Sequence, residues 1–374
     1  MRRRGRVRPG TPPAPGAGVT IGVDTHADLH VAAALDAVGR LLGTCAVPST
    51  PAGFAELAGW AGGWGRVAGF GIEGTGCYGA GLARWLRARG YAVVEVDRPQ
   101  RQFRRRRGKS DPVDAEAAAR AVLAGAASAQ PKAGDGPVEA LRVVRLARTS
   151  AVKARTQAAN QLHALVVTAP EPLRARLRAL PLAALVDRAA AFRIASGASV
   201  PGPLAATRFA LRLLARRYRQ RTAEIRALEA HLAALAATTA PALLAVRGVG
   251  AEVAATLHIA AGDNPERLRS EAAVAHRCGV APIPASSGKV VRHRLNRGGD
   301  RQANRALHVV ALVRLRWDAR TRAYVARRTA EGRPKLEILR CLKRYVARQL
   351  YPLLRASLAD QPSAPHLPAA AGAA

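Results

Sequence analysis

The sequence predicts an α/β domain at the front of the chain and a helix-dominated region behind it. Three observations carry that division. Short runs rich in Val, Ile and Leu alternate with amphipathic stretches over the first hundred or so residues. From Val138 onward, long runs of helix formers take over, with apolar residues three and four apart. Finally, positive charge dominates: Lys plus Arg is 59 against 25 Asp plus Glu, a formal +34. So large an excess implies a polyanionic partner, most simply nucleic acid.

Taken in order, Val19–Asp24 reads as a buried strand ending in an acid. His30–Leu35 and Arg40–Val47 read as the next two strands, with Val38-Gly39 near their turn. Phe54–Trp60 is a short helical pattern, and Arg66–Ile72 is a strand followed at once by Glu73. Gly79–Arg89 is amphipathic, with Leu82, Trp85 and Leu86 on one side. Tyr91–Val96 is another strand, ending at Asp97. A basic loop then runs from Arg98 to Lys109, before an alanine-rich helix that starts near Asp111. Strand, strand, strand, helix, strand, helix, strand, helix is the ribonuclease H-like (RuvC-like) layout, a mixed sheet with helices on its faces. Sugar-kinase and actin-like folds also open on a strand and an aspartate, but their glycine-rich phosphate loops are not evident further on.

That layout brings particular acids together. Asp24 lies on the first, central strand and Glu73 at the end of its neighbour. Asp111 and Asp114, three apart, point the same way once the helix has begun, and Pro112 suits its first turn. Like charges so placed call for a cation, and four carboxylates could hold two divalent ions bridged by a phosphate. Asp28, Asp36, Asp97 and Glu116 read as solvated or paired. Ser49, Thr50 and Thr75 read first as helix caps. His26 and His30 alternate with the strand pattern; either could be a satisfied structural histidine, and no metal-ligand motif surrounds either.

Val138–Val167 is mostly helix former, and the proline-bearing stretch from 170 to 203 suits short helices. In Ala205–Thr239, Leu211, Tyr218, Ile225 and Leu232 are seven apart, while Leu214, Leu228 and Leu235 form a second seam broken by Arg221. This predicts a short coiled coil, antiparallel or intermolecular. Leu244–Ala260 holds a Gly248-Val249-Gly250 turn between two short helices, a helix-hairpin-helix-like element. Its amides at Gly248 and Gly250 could hold a phosphate. Leu307–Ala330 and Lys335–Leu358 complete a mainly α-helical C-terminal domain, with Trp317, Tyr324, Tyr345 and Tyr351 available to pack it.

Between these helices a loop of small residues carries Ser286, Ser287 and Gly288. Lys289, Arg292, Arg294, Arg297 and Arg301 follow, as Arg104, Arg105, Arg106, Arg107 and Lys109 precede the acidic helix. A serine among fixed positive groups is either a phosphate contact or a nucleophile whose developing charge is met in place. With aromatics at 4%, base stacking is not the main means of binding.

The four cysteines, Cys45, Cys77, Cys278 and Cys341, show no zinc-finger spacing and no disulfide framework, so a reducing, cytoplasmic setting is expected. No charge-free apolar run is long enough to span a membrane. Residues 1–18 lack the apolar segment of a signal peptide and read as a basic arm or an extension from an early start codon. The expected organisation is that arm, the α/β domain over 19–137, the helical segment over 138–240, the C-terminal domain over 241–358 and a tail over 359–374.

Several of these motifs resemble one family. Val19–Asp24, Ile72-Glu73-Gly74-Thr75-Gly76 and Lys109-Ser110-Asp111-Pro112-Val113-Asp114-Ala115 are similar to the DEDD domain of the insertion-sequence 110 family of bacterial transposases. Gly279-Val280-Ala281-Pro282, Ser286-Ser287-Gly288-Lys289 and Asn296-Arg297-Gly298-Gly299-Asp300 resemble that family's C-terminal domain. The resemblance implies that Asp24, Glu73, Asp111 and Asp114 bind magnesium, with manganese as a substitute. It implies a nucleophilic serine at Ser287, with Ser286 the adjacent register. It further implies double-stranded donor and target DNA, a structured guide RNA, and dimers assembling into tetramers on the bacterial nucleoid. Two other functions compete on the residues alone. In a RuvC-like junction nuclease the acids would activate water and the serines only bind. In a packaging protein no carboxylate would matter.

Overall fold

The computed structural model describes residues 18–96, 110–193, 202–263 and 268–359. The basic cluster of Arg104, Arg105, Arg106, Arg107 and Lys109 lies outside the described residues. The chain forms two compact units. One holds the described residues up to Gly136, with those of 261–270 and 358–359; the other holds the described residues of 137–260 and 271–357.

The first unit is built on a five-stranded sheet: β1 (Val19–Thr25), β2 (Leu29–Leu35), β3 (Leu41–Pro48), β4 (Val67–Glu73) and β5 (Val93–Val96), in the order β3-β2-β1-β4-β5. The first three strands are antiparallel neighbours, while β1, β4 and β5 run parallel. A hairpin joins β1 to β2 and another β2 to β3. In the second, Gly39 takes φ +83°, and the Asp36 carboxylate accepts from the Val38 and Arg40 amides at 3.0 and 2.8 Å. Crossing between parallel strands needs a helix. These crossovers are α1 (Pro51–Gly62) and α2 (Ala80–Arg87). The Thr50 hydroxyl caps α1 at the Gly53 amide, 3.2 Å away, and Pro51 opens the helix. Thr50 is therefore a cap, while the Thr75 hydroxyl donates to Glu95 Oε1 at 2.9 Å.

Being central, β1 is buried from end to end. Val19, Ile21, Val23, Ala32 and Ala34 face Phe54 and Leu57 of α1 and Leu82 and Leu86 of α2 in one apolar cluster. The opposite face is covered by α3 (Asp111–Leu123), whose Ala115 meets Val31 and Ala33.

The second unit is helical. A 31-residue helix, α4 (Pro137–Val167), packs along a 38-residue one, α7 (Gly202–Thr239). Leu141, early in α4, shares a cluster with Leu232 and Ala236, late in α7. At the other end, Leu162 and Val166 meet Leu211 and Ala215. The two helices are thus antiparallel, and the heptad seam of α7 is satisfied within the chain. Between them, α5 (Glu171–Leu177) and α6 (Leu182–Ala190) close one end of the pair through Leu173, Leu177, Leu185 and Val186.

The remaining elements of this unit are α8 (Pro241–Leu244), α9 (Ala251–Ala261), α10 (Glu271–Arg277), the hairpin β6 (Ile283–Pro284) and β7 (His293–Arg294), α11 (Arg301–Trp317), α12 (Ala319–Ala330) and α13 (Lys335–Ala359). Two expectations need correction. Leu307–Ala330 is not one helix: Asp318 ends α11 in extended backbone (φ −107°, ψ 117°), and its carboxylate accepts from the Thr321 amide to start α12. Trp317 is not a packing residue, being 62% exposed; Tyr324 and Tyr345 do meet edge to face, at 5.5 Å between centroids. Among the described residues no helix is long and apolar enough to cross a membrane.

Candidate active site

The acidic centre starts from two glycines. At Gly22 of β1 an added Cβ would lie 2.0 Å from the Ala115 carbonyl oxygen and 2.3 Å from the Ala119 amide. At Gly71 of β4, next to Gly22 in register, it would lie 2.6 Å from Val122 Cγ2 and 3.0 Å from the Ala118 oxygen. The backbone of α3 therefore rests directly on the sheet, over two side-by-side positions that lack a side chain. Its own contact face is alanine: Ala115, Ala118 and Ala119 are buried. This seating sets the N-terminus of α3, and with it Asp111 and Asp114, beside the carboxyl end of β1.

Asp24 is the floor of the site, only 8% exposed. Burial pushes its carboxyl above the ordinary range; His26 pulls it back, and the charges of Asp114 and Asp111 push it up again. Glu73 stands one residue past the Val23–Ile72 pair of the parallel strands, and its carbonyl accepts from the Thr25 hydroxyl at 2.8 Å. Asp114 is buried at 3% exposure, whereas the Asp111 side chain is 53% exposed. The structure thus sets Asp24, Asp111 and Asp114 in one electrostatic neighbourhood and Glu73 on the adjoining strand end.

Among the described residues, the metal-competent group whose ligand atoms lie within 4.8 Å of one another is Asp24, His26 and Asp111. His26 Nε2 is 3.3 Å from Asp24 Oδ2 and 3.4 Å from Asp111 Oδ1. Of the two histidines, His26 belongs to the acidic cluster rather than to the core. The available signal was its spacing, since residues two apart on extended chain share a side. His30 does lie in the core, fully buried and stacked on Phe54 at 5.7 Å. Glu116 is paired with Arg120 at 2.6 Å and Asp36 with Arg40 at 2.7 Å, as expected of bystanders.

The serine loop is the hairpin of β6 and β7. Pairing continues from Ile283–Arg294 through Ala285–Arg292 to Ser287–Val290, leaving Gly288 and Lys289 as a two-residue turn with Gly288 at φ +55°. The two serines have different tasks. Ser286 Oγ accepts from the Arg292 amide at 3.1 Å and faces the Arg292 carbonyl at 3.3 Å, so it is part of the ladder. Ser287 uses its backbone on Val290, in both directions, at the exposed tip. Strand alternation puts Ser287 on the same side as Arg292 and Arg294. Those arginines, with Lys289, Arg297 and Arg301, are exposed.

The base of this hairpin is clasped by backbone. A Cβ at Gly299 would meet Gly279 Cα and N, each at 2.4 Å, and Gly279 itself has φ +65°. Asn296 Nδ2 donates to the His276 carbonyl at 2.7 Å, and Asn304 Nδ2 to the Cys278 carbonyl at 2.9 Å, while Lys343 Nζ donates to Asn304 Oδ1 at 2.9 Å. Asp300 caps α11 through the Gln302 and Ala303 amides. Gly248, at φ +87°, and Gly250 lead into α9, where Glu252 of the first turn is bound by Arg145 at 2.9 Å and Arg148 at 3.3 Å.

Each of these two regions matches a known family. A DEDD transposase family of IS110 type matches residues 21–169, and a family described as "Transposase IS116/IS110/IS902 family" matches residues 240–326. The chain belongs to the IS110 family of transposases. The first match contains Asp24, Glu73, Asp111 and Asp114, and the second contains Ser286, Ser287 and the arginines of the hairpin. The chain is also 35% identical, over 133 residues, to the "Insertion element IS110 uncharacterized 43.6 kDa protein" of Streptomyces coelicolor; that stretch is 35% of this chain and 33% of the relative's length. The donor set of the acidic cluster, two carboxylates and an imidazole, fits a divalent cation.

Proposed function

We propose that this chain is a DNA transposase that cuts and rejoins strands through a phosphoserine linkage, with divalent metal held by the acids of a ribonuclease H-like domain. The strand order β3-β2-β1-β4-β5, with acids at the carboxyl ends of β1 and β4 and at the start of α3, supports the fold. The single observation that carries the function is the presence of both matched regions, acidic and serine-bearing, in one chain of net charge +34.

Asp24, Glu73, Asp111 and Asp114 would hold magnesium, or manganese in its place, and the ion would supply Lewis-acid polarisation of a phosphodiester. The chain's own residues do the rest. Ser287 Oγ attacks phosphorus as its proton leaves; the Oγ–P bond forms, the P–O3′ bond breaks, and O3′ departs as a hydroxyl. Arg292 and Arg294, on the same side of the hairpin as Ser287, meet the charge on the phosphoryl oxygens. Reversal by a different 3′ hydroxyl rejoins the strand, so no ATP is needed. Ser287 rather than Ser286 suits the attack because Ser286 Oγ is engaged in the ladder. Arg297, Arg301, Lys289 and the run from Arg104 to Lys109 would bind backbone phosphates, and the Gly248 and Gly250 turn a further one.

The expected partners are donor and target duplexes, a structured guide RNA that supplies sequence choice by pairing, and further copies of the chain as a dimer or tetramer. Charge of this size serves RNA and DNA alike. The test uses the full chain with labelled DNA and co-purified RNA. Ser287→Ala should abolish the covalent protein–DNA adduct and strand cleavage together, whereas Ser286→Ala should retain the adduct at reduced yield. Retained metal-dependent cutting by Ser287→Ala would instead make the protein a junction nuclease.

A further inference from the structure

His26 is the residue at the acidic centre to which the four-acid arrangement gives no task. Its neighbour in sequence, His30, shows what a core histidine of this sheet looks like: fully buried, stacked on Phe54, with neither ring nitrogen hydrogen-bonded among the described residues. His26 differs on each count. Its side chain is 48% exposed, and one nitrogen, Nε2, stands against carboxylate oxygens from two separate elements, at 3.3 and 3.4 Å.

Those distances have a coordination meaning. Adjacent ligands on a six-coordinate ion with bonds near 2.1 Å are roughly 3 Å apart, and opposite ones roughly 4 Å. Three atoms within 4.8 Å of one another, with two pairs at 3.3 and 3.4 Å, need only small side-chain rotations to surround one ion. Asp24 is fixed by β1 and Asp111 by the seating of α3. His26 follows the last residue of β1, where the ring can turn without moving the sheet.

We propose that His26 is a nitrogen ligand of the divalent cation, forming with Asp24 and Asp111 a mixed N,O donor set. This rests on the metal-binding reading of the acids given above. The imidazole has a chemical consequence: all-oxygen sites suit magnesium, whereas nitrogen raises affinity for manganese and cobalt relative to magnesium.

The test uses the full chain and Mn2+ alone. Manganese binding is followed by continuous-wave EPR, and the bound ion is examined by pulsed EPR for coupling to 14N. Wild type should show a directly bound imidazole nitrogen. His26→Gln should lose that coupling and bind Mn2+ about tenfold more weakly, with a smaller loss for Mg2+ measured by competition. Asp24→Asn should remove the ion altogether, and thermal melts would show that both variants fold. Mn2+ held in wild type with no nitrogen coupling, or His26→Gln binding as wild type, would overturn the role of His26 and leave the carboxylate site standing. No Mn2+ binding by wild type, or full binding by Asp24→Asn, would bring down the carboxylate reading as well.

Discussion

The most direct probe of how the acidic centre is assembled is Gly22→Ala, which touches no ligand. The added Cβ would sit 2.0 Å from the Ala115 oxygen and 2.3 Å from the Ala119 amide. Both are backbone atoms of a helix, so no side chain can rotate out of the way. Ordinary contact begins at 3.4 Å, so relieving the 2.0 Å approach requires α3 to lift from β1 by about 1.4 Å, the kind of backbone shift that overpacking forces. Overpacking costs about 1–3 kcal/mol, and backbone-on-backbone contact places this case at the upper end. For a domain of this size that is a fall of roughly 5–15 °C in melting temperature. The same displacement carries Asp111 and Asp114 away from Asp24, whereas a metal site tolerates about 0.5 Å. Gly22→Ala should therefore lose both stability and Mn2+ affinity, read by calorimetry and EPR titration. Gly71→Ala should lose less of each, because its closest contact is a movable methyl, Val122 Cγ2 at 2.6 Å. If Gly22→Ala melted and bound Mn2+ like wild type, α3 would not be seated as described.

Two further outcomes follow from the second unit. Gly299→Ala should unseat the hairpin base against Gly279, so hydrogen exchange should speed at the Ser287 and Val290 amides while α4 and α7 keep their protection. His258 is fully buried between the Ala254 carbonyl and Ser357 Oγ, at 3.2 and 2.9 Å, and burial holds its pKa below the ordinary 6.5. A lowered value means the fold prefers the neutral ring, so stability is complete above pH 6.5 and is lost as pH falls below it. Urea unfolding between pH 8 and 5 should show that decline, and His258→Gln should flatten it.

Much of the first unit was legible because its signals are local. Short apolar runs, Gly39 near a turn, Thr50 as a cap and Pro112 at a helix start each mark one element with little help from the rest. Sequence spacing also placed Asp24, Glu73, Asp111 and Asp114 at element ends. What it did not reveal is how closely those elements meet. Gly22 and Gly71 look like ordinary strand glycines until β1 and β4 are paired and α3 is laid across them. His26 stayed hidden for the same reason: its partner Asp111 is remote in sequence, and its spacing of two from Asp24 takes on meaning only once α3 is laid over that side of β1. The long helices failed differently. A heptad seam states that α7 has a partner but not which helix, and only the pairing of Leu141 with Leu232 and of Leu162 with Leu211 identifies α4.

The two sites share one construction rule, which explains why their motifs look so unlike reactive chemistry. At the acidic centre, Gly22 and Gly71 bring helix backbone onto strand backbone and thereby aim Asp111. At the hairpin, Gly279 and Gly299 bring loop backbone onto loop backbone and thereby hold Ser287 at an exposed tip. In each case the side chain proposed to act is presented by a close backbone approach that a Cβ at Gly22 or at Gly299 would block. The glycines are then as necessary as the aspartates and the serine, and for a physical reason: a reacting group is useful only if its support does not yield by an ångström. It follows that enlarging a glycine and removing a ligand should be separable by experiment. The first should cost stability and binding together, while the second should cost binding alone or, for the buried and charge-crowded Asp24, remove a carboxylate whose burial works against its charge.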